Sequence, residues 1–170
     1  GATSHEEAIP MVKALDAISG VCCVSLFEGY DDVRRRRYYG IPGEYRLPKH
    51  GLEYRPLSNG WLCHPIITNI VFDLSRKALM LGKIGLFNKM WKGTEQEVID
   101  CMTSSSAPKA RELMDRNKDL IIKLIVAAYP RWYGADPKLP EAVYDILDKG
   151  VGSRIAEPGN LVKNWATFRY

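Results

Sequence analysis

These 170 residues hold few of the patterns that announce a cofactor or a nucleophile. There is no Walker loop, no dinucleotide fingerprint, no G-x-S-x-G elbow and no H-E-x-x-H. The three histidines, His5, His50 and His64, are scattered, and they read as surface or capping residues rather than as metal ligands. No Ser/His/Asp or Cys/His triad can be assembled from spacing, which sets hydrolase chemistry aside. The four cysteines, Cys22, Cys23, Cys63 and Cys101, form no CxxC pair. That excludes a disulfide framework and a zinc site, and it leads us to expect a reducing, cytoplasmic setting. No uninterrupted apolar run of spanning length and no secretory signal is seen, so no membrane partner is expected. Low-complexity tracts and long internal repeats are also missing.

What is present describes an ordinary globular chain. Hydrophobic residues make up 46% and charged residues 26%, enough for a sizeable core and too apolar for disorder. The net charge of +4 is mild, and part of it sits in Arg34–Arg37, which favours a local anion site over a broad nucleic-acid surface. The chain begins Gly-Ala, and the expectation from this is a processed product, a tag scar or a fragment.

Taken in order, Ser4 and Glu7 have capping-box spacing, but Pro10 moves the expected helix start to about Ala8. Val12, Leu15 and Ile18 then form one face, and Gly20 ends the helix. Val21 to Phe27 is apolar and partly β-branched, and it reads as a buried strand. Ile66 to Leu81 has helical period, with Pro65 in its first turn, and is expected to pack on the hairpin before it. Thr94 and Glu97 open a short helix. Ser106 and Pro108 open the longest one, striped by Ala110, Leu113, Met114, Asn117, Leu120, Ile121, Leu124, Ile125 and Ala128 and closed by Pro130. Pro140 starts another helix with Val143, Ile146 and Leu147 inward. Trp165, Phe168 and Tyr170 are expected to pin the tail onto the body.

The chemistry concentrates between Arg34 and Trp61. Two copies of one pattern, Glu44-Tyr45-Arg46 and Glu53-Tyr54-Arg55, flank the turn Pro48-Lys49-His50-Gly51. Residues two apart in a strand share a face. Pairing about Lys49 and His50 therefore sets Arg46 opposite Glu53 and Glu44 opposite Arg55. Leu47, Leu52, Tyr45 and Tyr54 fall on the other face, and a slip by one residue would undo the sorting. Two readings of the charged face are open: cross-strand ion pairs of at most about 1 kcal/mol each, or a site for an anion and its metal.

Here the residues resemble a known family. Arg35-Arg36-Arg37-Tyr38-Tyr39-Gly40, Gly43-Glu44-Tyr45-Arg46, Gly51-Leu52-Glu53-Tyr54-Arg55, Leu57-Ser58-Asn59 and Trp61 look like the C-terminal signature of the phage-type COOH-NH2 ligases. These are amidoligases related to glutamine synthetase. Met11 to Asp16 resembles the family's leading helix and its Leu-Asp step. The resemblance covers about residues 8 to 82.

It implies an α+β fold in which the hairpin and a flanking strand belong to a glutamine-synthetase-like antiparallel sheet, followed by a helical C-terminal part. Residues 1–82 would be the C-terminal half of the catalytic domain and 83–170 a helical extension packed on it. The implied activity is ATP-dependent carboxylate–amine ligation through an acyl phosphate, with ATP and magnesium as cofactors. Glu53 would be a magnesium ligand and Glu44 a weaker one. Arg46 and Arg55 would stabilise the transferring phosphoryl group, while Arg35, Arg36 and Asn59 would bind phosphate or substrate. The family's upstream acidic ligands and histidine-bearing strand have no counterpart here. The expectation is therefore a chain completed by a missing N-terminal half or a partner subunit, a homo-oligomer included, inactive alone, in the cytoplasm of a bacterial host. The alternative is a non-enzymatic phage-derived binding module using Arg34–Arg37 on nucleic acid or a host protein.

Overall fold

The computed structural model describes residues 2, 4–31, 33–132, 136, 138–153, 155 and 157–167. It is mostly helical. Helix α1 (His5–Leu15) runs through one π-helical turn (Asp16–Gly20) into α2 (Val21–Leu26), so the chain is helical without a break from His5 to Leu26. Ser4 caps it, its Oγ accepting from the Glu7 N–H at 3.3 Å. The start thus lies three residues before the position that Pro10 suggested. Pro10 removes one backbone donor inside α1, and the helix accommodates that loss.

Residues Val21 to Leu26 are helical, not the strand expected from their composition. All six are buried. A helix enclosed on every side needs no polar face, so its sequence reads as a continuous apolar run indistinguishable from a core strand. Gly20 does not end the helix either. A Cβ there would lie 2.6 Å from the Met102 side chain, so this glycine admits a neighbour within the π turn. The 22 residues His5–Leu26 are long and apolar enough to cross a membrane, but 83% of the apolar window is buried inside the protein. That surface belongs to the core.

Helix α3 (Pro65–Lys83) begins where expected, with the His64 ring accepting from the Ile66 N–H at 3.2 Å. It packs along α1 rather than mainly on the hairpin, and only its Leu79 joins the apolar cluster beneath the strands. Three elements follow: α4 (Phe87–Met90), α5 (Glu95–Ser104) and α6 (Ala107–Arg116). The Thr94–Glu97 capping box is formed in both directions, and its hydrogen bonds, first of all that from the Thr94 backbone, hold the Glu97 carboxyl down at about 2.

The single long helix expected from residue 108 to 128 is two helices, α6 and α7 (Lys118–Trp132). Asn117 interrupts them. Its side chain is buried, accepts from the Lys92 N–H at 2.7 Å, and donates to the carbonyls of Lys92 at 2.9 Å and Leu113 at 2.8 Å. A buried amide with three hydrogen bonds, two of them to the Lys92 backbone outside the helix, outweighs the continuity of the stripe. Helix α7 also runs past Pro130 to Trp132.

Helix α8 (Leu139–Lys149) buries Val143, Tyr144 and Leu147. In α9 (Leu161–Thr167), Asn164 donates to the Cys63 carbonyl and Trp165 to that of Leu62, both at 2.9 Å, which ties the tail to the turn before α3. Phe168 and Tyr170 lie outside the described residues. One apolar core joins α2, α3, α5, α6, α7 and α8. Cys22 and Cys101 are fully enclosed in it, and burial pushes their thiols up to about 12 and about 11.

The only sheet among the described residues is the hairpin of β1 (Tyr45–Arg46) and β2 (Glu53–Tyr54), antiparallel with Tyr45 opposite Tyr54 and Arg46 opposite Glu53. The register is the one that the charge pattern dictates. The class is α+β, but with two strands of two residues each and no flanking strand.

The closest backbone approach is between α1 and α3. A Cβ on Gly82 would stand 2.6 Å from Met11 Cα and from the Pro10 carbonyl oxygen, atoms that cannot swing aside. Gly82→Ala should therefore destabilise the protein by about 1–3 kcal/mol, despite alanine's higher helix propensity, seen as a lower denaturant midpoint. An unchanged or raised midpoint would show that the two helices can separate freely.

Candidate functional site

The charged face of the hairpin is a closed ladder. Arg46 donates to both oxygens of Glu53, at 2.7 and 2.8 Å. Glu53 Oε1 lies 3.7 Å from Arg55 Nε, and Arg55 donates to Glu44 Oε1 at 2.6 Å. The second Glu44 oxygen accepts from the Gly40 N–H at 3.1 Å, and the Tyr39 ring lies against the Arg55 guanidinium, 5.5 Å from its carbon. Four candidate residues, Glu44, Arg46, Glu53 and Arg55, thus form one network. Its ends differ in exposure. The side chains of Arg46 and Glu53 are 63% and 40% exposed, those of Arg55 and Glu44 27% and 24%. The outer pair contributes at most about 1 kcal/mol. The Arg46 hydrogen bond nonetheless keeps the Glu53 carboxyl below its usual range.

Two guanidiniums and two carboxylates sum to zero, so the ladder is not a standing anion trap. It is a set of exchangeable partners. A phosphate arriving with a divalent cation can take the arginines while the cation takes the carboxylates, leaving no charge unpaired.

The arginine run is distributed differently. Arg35 donates to the carbonyls of Pro56 at 3.1 Å and Leu57 at 2.5 Å. Arg36 is buried, and it donates to Ser105 Oγ at 2.9 Å, to the Gly40 carbonyl at 2.9 Å and to Asp31 at 3.2 Å. Arg36 holds the loop on the helical body, Arg35 holds it on the segment after β2, and neither fork joins the ladder. Asn59 is exposed at the start of the short 3-10 turn that Ser58 caps. The structure therefore brings Glu44, Arg46, Glu53 and Arg55 together and sets Arg35, Arg36 and Asn59 apart from them.

The hairpin's other face meets α1. Tyr45 Oη is hydrogen-bonded to His5 Nδ1 at 2.8 Å, and Leu47 and Leu52 pack with Ala8 and Met11. The Tyr54 hydroxyl donates to Asp16 Oδ1 at 2.6 Å, which raises the tyrosine well above its normal range, chiefly by burial. Asp16 begins the π turn and is 7% exposed. Desolvation lifts its carboxyl from the ordinary 3.8 to about 6, against the hydrogen bonds from Tyr54 and the Gly43 backbone and the more distant Arg36. No basic side chain pairs with it among the described residues. It lies in the wall of a cavity of about 410 Å³ between α1, the Pro42–Tyr45 segment and the Phe87–Ile99 segment.

Our reading of the residues did not select Asp16 as a site residue. The signal was nonetheless present, because it is the one acid between Glu7 and Glu28 and stands inside a long apolar stretch. A buried carboxyl without a cation disfavours the native state once it is ionised. Because the native pKa is raised, the native state binds the extra proton between about 4 and about 6, so this contribution improves as pH falls through that window. Asp16→Asn, which keeps an acceptor for Tyr54, should raise stability at pH 7 by about 1–3 kcal/mol and flatten the profile between pH 4 and 6. Urea unfolding across that range checks it. A variant less stable than the parent at pH 7 would mean that Asp16 has an unseen cation.

With this geometry in hand, comparison with known proteins is informative. No curated protein and no solved structure matches the chain. Residues 4–100 match the family model described as Phage phiEco32-like COOH.NH2 ligase-type 2, a span that holds α1, the arginine run, both strands and α3. That is more than half of the 170 residues, and the chain belongs to the phage-type COOH-NH2 ligase family.

Proposed function

We propose that the protein acts in ATP-dependent formation of an amide bond, in which a carboxylate is activated as an acyl phosphate and an amine then displaces phosphate. What carries the reading is the Glu44–Arg55–Glu53–Arg46 ladder on the outward face of the hairpin, inside the span that matches a ligase family. In-line phosphoryl transfer needs positioned positive charge more than covalent help. Arg55, half-buried and braced by Tyr39 and Glu44, is the better-positioned group for the γ-phosphoryl oxygens. Arg46, more mobile by exposure, follows the nucleotide or the substrate carboxylate.

Glu53 and Glu44 are the residues that would hold magnesium, which when bound neutralises phosphate charge. The described residues hold no group of three acidic, histidine or cysteine ligands. Two carboxylates do fit a magnesium ion that completes its shell with phosphate oxygens and water. Arg46 and Arg55, whose present partners are these carboxylates, are the groups that would meet phosphate. Arg35, Arg36 and Asn59 act at one remove in this reading: the two arginines hold the loop that carries Tyr39 and Gly40, and Asn59 is exposed for substrate contact. Arg35 and Arg36 are anchored inward, so the alternative reading, a binding module using Arg34–Arg37 on nucleic acid or a host protein, would not rest on these two.

The test is isotopic. With an 18O-labelled carboxylate, ATP and an amine, the reading expects ADP and inorganic phosphate carrying one 18O. Arg55→Ala should lower the rate by about 100-fold or more, and Arg46→Ala should lower it less. Release of AMP with pyrophosphate, or phosphate without label, would replace the acyl phosphate with another mechanism.

A further inference from the structure

The cavity beside Asp16 lies on the opposite side of the hairpin from the ladder and takes no part in the phosphoryl chemistry above. Its volume, about 410 Å³, is in the range of small-molecule sites. Its wall is apolar and polar in similar measure, the apolar part coming from Ile9, Val12, Phe87, Val98 and Ile99. Two polar features stand out. The Asp16 carboxyl is buried and receives only neutral donors, Tyr54 and the Gly43 N–H. The Trp91 indole N–H, also in the wall, is buried with no hydrogen-bond partner. A natural interior rarely leaves either feature uncompensated.

We propose that this cavity binds a small amine with an apolar body, such as an amino alcohol or an amino-acid derivative, its ammonium on Asp16. The charges around Asp16 suit that ligand. Lys13 and Glu95 also line the cavity, but they pair with each other at 2.7 Å, so Lys13 does not neutralise Asp16. Arg36 acts on Asp16 only through space, its fork being held by Ser105, Gly40 and Asp31. A metal ion is a poor occupant, because Asp16 is the one carboxylate of this wall not paired with a base, Glu95 being held by Lys13. An ammonium needs only one carboxylate and an apolar wall for the rest of the molecule.

The inference goes beyond the ligase reading and can fail alone, since binding here requires neither ATP nor turnover. The probe is L-phenylalaninol, compared with 3-phenyl-1,2-propanediol, which replaces the ammonium by a hydroxyl. Titration of the 15N-labelled protein at pH 7.5 should move the Trp91 indole and Gly43 amide resonances saturably with the amine. The diol should bind roughly 10-fold more weakly or worse, the usual effect of losing a charged hydrogen bond. Asp16→Asn should erase the difference between the two probes, and Ile99→Trp, which fills the cavity without touching Asp16, should abolish binding of both. Amine affinity should hold above about pH 6 and fall below it as Asp16 takes up its proton. Equal binding of amine and diol, the absence of saturable shifts at Trp91 and Gly43, or binding that survives Ile99→Trp would each overturn the proposal.

Discussion

The hydrogen bond from Tyr54 to Asp16 ties the two parts of this protein together. A hairpin with two paired residues per strand has too few ladder bonds to hold itself in water. It is held from one side, where Tyr54 and Tyr45 reach across to Asp16 and His5 while Leu47 and Leu52 settle on Ala8 and Met11. Asp16 can receive Tyr54 because the helix widens into a π turn there and Gly20 lets the Met102 side chain approach. Helix, π turn and hairpin are thus one mechanical unit.

This arrangement sorts the hairpin into two environments of opposite character. Outward, four charges are exposed or half-exposed and pair with one another. Inward, a single carboxyl is buried against a cavity, in a state that stability alone does not favour. Tolerance of such a group is a common mark of a functional position. Both faces share one short backbone, so occupation of the inner cavity bears on the segment from Pro42 to Tyr45 that leads into the ladder.

The arginine run shows how little a cluster in sequence says about a cluster in space. Arg35 and Arg36 are adjacent, yet one grips the segment after the hairpin and the other reaches the C-cap of α5 and the Asp31 turn. Their common task is to close the Asp31–Gly40 loop onto the helical body. Arg46 and Arg55, nine residues apart in the chain, instead share Glu53 as a neighbour. The hairpin lies inside the span that matches the family, and the remaining helices supply the body against which it is held.

Several features were legible in the sequence because their causes are local. The register followed from alternation of charge and side-chain bulk across a turn. The caps at His64, Thr94 and Ser106 followed from side chains that reach only the next backbone donors, whereas Pro10 concealed the one at Ser4. Three features were decided by tertiary structure. Burial on all sides turned Val21 to Leu26 from an apparent strand into a helix, since periodicity vanishes when no face meets water. Asn117 broke a continuous stripe because its partners at Lys92 lie 25 residues away. Asp16 became the most perturbed acid of the site only when Tyr54, Gly43 and the cavity wall closed around it, because desolvation is a property of the folded surroundings and not of a residue's neighbours in the chain.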